Sequence, residues 1–106
     1  AGELMSFLAI YRELPSPDAI LLAPDSAPIP ETPAALYAVS TALAAHSTEG
    51  NFDRVLTYND RLIDAGRREF AALLARDAVR RKPELQNTHA FIRAQGGPLG
   101  QIIRGQ

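Results

Sequence analysis

Apolar residues recur at helical spacing along most of the chain. Leu4, Phe7, Leu8 and Tyr11 lie three and four apart, which predicts one apolar helical face over residues 3–13. Leu14 precedes Pro15, whose ring disfavours helical backbone at the residue before it, so a stop is expected there. Ser16, Pro17 and Asp18 then supply a cap, a first-turn proline and a first-turn acid, and predict a short helix through Leu22. The stretch from Ala23 to Pro33 has prolines at 24, 28, 30 and 33 and little periodicity. It reads as a stiff, extended connector laid on the surface. Ile20, Leu21, Leu22 and Ile29 make it too apolar for a free linker, and they are expected to pack against the helical body.

Thr32 and Pro33 are the natural cap and first residue of the next helix. Leu36, Val39 and Leu43 form its buried ridge, with Tyr37 and Ser40 alongside. Alanines at 34, 35, 38, 42, 44 and 45 make it slender, so a neighbour can approach closely. His46 sits at its C-terminal end, where the helix dipole favours a cation. The stretch His46 to Val55 joins this helix to an amphipathic one. Asn51 is placed as an N-cap and Asp53 as a first-turn acid, while Arg54 stands where the dipole disfavours it. Simple solvation, or pairing with Glu49 or Asp53, would account for Arg54; otherwise it serves a purpose beyond the helix.

Val55, Leu56, Asn59, Leu62 and Ile63 line one face of a helix over residues 52–65. Arg54, Tyr58 and Arg61 share another stripe of it. Gly66 suits the left-handed residue that ends such a helix. A third long helix is predicted over residues 67–81, with Phe70, Leu73, Leu74 and Ala78 as its core face. Asp77 lies at the edge of that face and is expected to bond an arginine or a backbone amide. Pro83 stops the helix. Asn87 or Thr88 can cap a final short helix with Phe91 and Ile92 turned inward, and Gly96-Gly97-Pro98 ends it. The tail offers Leu99, Ile102 and Ile103 for docking and is expected to fray at its end. Alternating β-branched runs are missing. The fold class is therefore all-α: a small helical bundle of about four main helices with a proline-rich N-terminal connector. Residues 1–33 form the N-terminal helix and connector, 34–95 the helical domain and 96–106 the tail.

Composition narrows the function. A chain of 106 residues fits one domain with one modest core. A net charge of −1 gives no general attraction to nucleic acid or an anionic membrane. Arg67, Arg68, Arg76, Arg80 and Arg81 could still form a local nucleic-acid patch, diluted by Asp77 and Glu84. The chain has no cysteine, which excludes disulfides and thiolate metal sites. No apolar run nears the ~20 residues that span a bilayer, and no signal-peptide pattern opens the chain. Lys82, the single lysine, lies between Arg81 and Pro83, so no phosphate-cradling P-loop is present. Neither a His-Glu-x-x-His nor a Gly-x-Ser-x-Gly motif occurs, and neither His46 nor His89 has a metal-spaced partner. An independent enzyme is not expected.

Gly50-Asn51-Phe52-Asp53-Arg54-Val55, between an apolar helix and an amphipathic one, resembles a turn in the helical lid of MoxR-like and dynein-related AAA-type ATPases. In that family the turn reads Gly-Ala-Ser-Pro-Arg-Ala, and its arginine, called sensor 2, reaches the nucleotide phosphates. Arg54 is the matching position. Asn51, Phe52 and Asp53 depart from the family's alanine, serine and proline. Arg54-Val55-Leu56-Thr57-Tyr58 and Arg76-Asp77-Ala78 also look like bacterial and phage-type members, so the likeness covers residues 32–82. It implies a cytoplasmic C-terminal lid over ATP and Mg²⁺ held by a core before Ala1, with neighbouring subunits of a ring as partners. The fragment alone is expected to be a monomer that binds no nucleotide tightly. The alternative is a stand-alone helical interaction module that docks partners on the Tyr58/Arg61 stripe or the proline-rich segment.

Overall fold

Six α-helices and one 3₁₀ turn run through residues 14–104, the part of the chain described by the computed structural model. The helix expected over 3–13 and the very end of the tail lie outside the described residues. No strand occurs among the described residues, and none of their helices is long and apolar enough to cross a membrane.

Side-chain caps set three of the six α-helix starts. In α1 (Pro17–Leu22) the Ser16 hydroxyl accepts the Ala19 N–H at 3.1 Å. In α2 (Pro33–Ala45) the Thr32 hydroxyl accepts the Ala35 N–H at 3.2 Å. In both, proline takes the position whose missing N–H costs nothing. The end of α3 (Phe52–Asp64) is equally local. Gly66 adopts φ 79°, its N–H donates to Ile63 O at 3.0 Å, and the Arg67 N–H donates to Leu62 O at 2.8 Å. This paired closure satisfies two orphan carbonyls and turns the chain into α4 (Arg68–Arg81). Thr88, rather than Asn87, caps α5 (His89–Ala94), accepting the Phe91 N–H at 3.2 Å.

The core lies between α2, α3 and α4, with α2 packed most extensively on α4. Leu36, Val39 and Leu43 of α2, Phe52, Val55, Tyr58 and Leu62 of α3 and Leu74 of α4 are all buried in one cluster, with α4 the helix on which both others pack. The buried face of α4 is Ala71, Leu74, Ala75 and Ala78. Phe70 and Leu73, expected in the core, are only half-buried at its margins. α4 packs against α2 and α3 at once, and its narrow buried strip of alanines around Leu74 leaves Phe70 and Leu73 at the edges.

Other positions also differ from the pattern-based expectation. Leu22, Tyr37 and Ile92 are 83%, 58% and 57% exposed, so none of them faces the body. Helical spacing placed each near an apolar stripe, but each helix buries a narrower arc than its apolar residues cover. The connector is not extended throughout. The Ser26 and Ala27 N–H groups both donate to Ala23 O, winding a turn that buries Ala27. After α4, Pro83 opens a 3₁₀ turn (Pro83–Asn87) whose Leu85 is buried. Pro98 does not simply end structure: it starts α6 (Pro98–Ile103), whose Leu99 and Ile102 are buried. Gly100 makes that docking possible, because a Cβ there would lie 1.7 Å from the Gln95 carbonyl oxygen.

Candidate functional site

The turn from residue 47 to residue 51 brings the α2 end to the α3 start. Ser47 is buried, and its hydroxyl donates to Leu43 O at 3.0 Å. Asn51 stands at the N-cap position but does not cap. Its φ of −119° and ψ of 0° lack the extended geometry that points a cap side chain forward. The side chain turns back instead: Oδ1 accepts the Thr48 N–H at 2.8 Å and Nδ2 donates to His46 O at 3.0 Å. Asn51 therefore staples the loop to the end of α2. The start of α3 is fixed by packing, since Phe52 is fully buried and stacks on Phe91 at 6.1 Å between ring centres. Phe52 falls three, four and seven residues before Val55, Leu56 and Asn59, a spacing that marks it as core.

Arg54 follows in the first turn of α3 and is exposed. Its bond is a long one, Nη1 donating to Leu21 O at 3.4 Å. Neither Glu49 nor Asp53 pairs with it: the ion pairs among the described residues are those of Asp77 with Arg80 and Arg81.

The stripe that continues from Arg54 is not an open surface. The Tyr58 side chain is fully buried and its hydroxyl donates to Pro28 O at 2.8 Å. Burial disfavours the phenolate and pushes its pKa up to about 12, although the nearby Arg61 charge works the other way. The Arg61 guanidinium lies 5.8 Å from the centre of the Tyr58 ring. It donates to Pro24 O at 3.0 Å and to Ala27 O. Arg67, just beyond α3, donates to Glu31 O at 3.1 Å. The chain's own connector thus occupies the Tyr58/Arg61 stripe. Tyr58 lies three residues after Val55 and four before Leu62, so its burial was readable from spacing; the carbonyls it and Arg61 meet were not.

The basic residues near the α4 end are likewise engaged within the chain. Arg76 donates to Ile102 O at 3.0 Å and ties α6 to α4. Arg80 and Arg81 both bond the carboxylate of Asp77, which is 7% exposed. Burial alone would raise the Asp77 pKa, but the two arginine bonds and charges outweigh it and hold the carboxyl below its ordinary value. A structural carboxylate at the core edge, bonded to arginine, is what the sequence predicted there. His46 Nδ1 donates to Ala42 O at 2.9 Å. Among the described residues no group of three or more histidines and carboxylates is placed to hold a metal.

Among the described residues Arg54 and Arg68 both stand exposed at helix starts without a carboxylate partner, and Arg54 is the one beside a connector strapped along its own helix. No family model, no curated protein and no solved structure matches the chain.

Proposed function

We propose that this chain is the helical lid of an AAA-type ATPase of the MoxR-like, dynein-related branch, closing over ATP and Mg²⁺ held by a separate core. Arg54 carries the reading: it is exposed at the start of α3, free of any carboxylate among the described residues, and its one acceptor is a carbonyl 3.4 Å away. A guanidinium so placed can exchange that neutral acceptor for phosphate oxygens without breaking an ion pair. Charge-assisted bonds to phosphate are the stronger of the two. Asp53 does not hold Arg54 back. The order of an apolar helix, a tight turn and an amphipathic helix around Arg54 fits the resemblance as well.

In this reading the lid supplies a planar cation to the negative charge that spreads over a transferring phosphoryl group. Its rotation passes the nucleotide state to neighbouring subunits of a cytoplasmic ring. The chain alone, with no P-loop, is a helical monomer that hydrolyses no ATP. The reading as a stand-alone interaction module has less support, because its Tyr58/Arg61 surface is covered by the connector.

The test begins with the gene upstream of Ala1, where a P-loop in the same reading frame is expected. In that ATPase, Arg54→Ala should lower turnover or weaken ATP affinity several-fold. Its effect on the stability of the isolated domain should stay within about 1 kcal/mol, as for other exposed charges. Asp53→Ala should do less harm. Full ATP binding and turnover in Arg54→Ala would remove Arg54 from the nucleotide site.

A further inference from the structure

We infer that the proline-rich connector is a strap clamped onto α3, with Arg61 as its main positioning residue, so that connector and helix move as one rigid body. The argument begins with what the segment cannot do for itself. Prolines at 24, 28, 30 and 33 have no N–H, so the segment cannot satisfy its own carbonyls with a backbone ladder. The donors come from α3 and the residue that opens α4. Arg61 takes Pro24 O and Ala27 O, Tyr58 takes Pro28 O, and Arg67 takes Glu31 O, while Arg54 reaches only Leu21 O of α1, at 3.4 Å.

Arginine suits this task because it offers five donors and no acceptor, so one side chain can hold two carbonyls. Arg61 does so while lying over the Tyr58 ring, an attraction that fixes both side chains together. The apolar side of the strap is anchored independently. Ile20 is 0% exposed, Ala27 is buried, and Ile29 packs against the core. A hinge needs residues free to change φ and ψ. Here proline fixes φ at four positions, and side-chain bonds hold the carbonyls of Pro24, Ala27, Pro28 and Glu31.

The consequence for movement rests on the lid reading: when the lid rotates, the connector and α3 rotate together, and Arg54 travels with the strap. The pivot does not fall inside the connector, although its proline content resembles that of a linker.

The chain has no cysteine, so two introduced cysteines carry spin labels without interference. Asp25→Cys on the strap and Asp64→Cys on α3 are both exposed. Pulsed electron paramagnetic resonance on the 106-residue chain should give one narrow distance. That narrow distance should be lost in Arg61→Ala and partly lost in Tyr58→Phe, which removes only the hydroxyl. A control pair, Arg68→Cys with Arg93→Cys, should stay narrow throughout. If the control pair broadens in Arg61→Ala, Arg61→Lys and Tyr58→Phe decide in its place. A broad strap distance in the parent, or an unchanged one in the variants that keep the control narrow, would overturn the clamp. In the ATPase itself, ATP and Mg²⁺ should leave the strap distance unchanged; a shift defeats the clamp and leaves the lid reading standing. A parent without ATPase activity defeats the lid reading and leaves the clamp to the first arm.

Discussion

Tyr58→Phe separates a hydrogen bond from the packing around it. The ring stays buried, and only the bond of 2.8 Å to Pro28 O is removed. A bond of this kind contributes about 0.5–1.5 kcal/mol net. Pro28 is exposed, so water can replace the hydroxyl at its carbonyl, and the cost at neutral pH should be near 1 kcal/mol. That corresponds to a drop of roughly 4–8 °C in melting temperature for a domain of this size. The pH dependence is more diagnostic. An unfolded tyrosine ionises near pH 10, whereas Tyr58 in the fold is pushed up to about 12. Its raised pKa gives stability that is fully present below pH ~10 and lost as pH climbs through about 12. At ~1.4 kcal/mol per pKa unit, the loss across that window is about 3 kcal/mol. Tyr58→Phe lacks this component, while Tyr11 and Tyr37 remain in both proteins. The parent should therefore be the more stable at pH 7 and the less stable above pH ~11. Urea unfolding followed by far-ultraviolet circular dichroism between these values reads the crossing. Parallel pH profiles for the two proteins would refute the buried, bonded phenol.

Three further outcomes follow from the packing and the ion pairs. Leu74→Ala should cost about 2–5 kcal/mol, as for a fully buried leucine, and Leu73→Ala clearly less, because Leu73 is half-buried; equal losses in melting temperature would mean that α4 is rotated. Gly100→Ala should destabilise by about 1–3 kcal/mol or more, since the new methyl meets the rigid Gln95 backbone. Undiminished stability and an unchanged α6 amide-exchange pattern would contradict that contact. Asp77→Asn should cost about 1 kcal/mol at neutral pH, the modest figure reflecting the exposure of Arg80 and Arg81. Because the folded Asp77 pKa is lowered, its stabilisation is present above the ordinary carboxylate pKa and lost as pH falls through the folded value, so the gap should close below pH ~4.

Features whose causes lie within a few residues could be read directly along the chain. Ser16, Thr32 and Thr88 cap their helices because a hydroxyl three positions before a free N–H needs nothing else. Gly66 ends α3 because only glycine takes a positive φ at little cost. The ridge Leu36, Val39 and Leu43, the all-α class and an internal partner for Asp77 were legible for the same reason, since each rests on spacing within one helix; that the partners are Arg80 and Arg81 came from the structure.

The tertiary structure decided whatever depends on which neighbour arrives. The buried arc of α4 lies on the alanine strip rather than on Leu73 because α4 is packed between two helices, α2 and α3. Pro98 opened a helix because Gly100 lets the tail approach the Gln95 backbone. Asn51 turns back to His46 and Thr48, and it is Phe52, stacked on Phe91, that anchors the start of α3. At the candidate site, the sequence put Arg54, Tyr58 and Arg61 on one stripe. It could not show that Tyr58 and Arg61 are taken by carbonyls some thirty residues earlier, while Arg54 keeps only a long bond to Leu21. Backbone carbonyls are the same at every position, so no pattern of side chains announces which of them a distant arginine will meet.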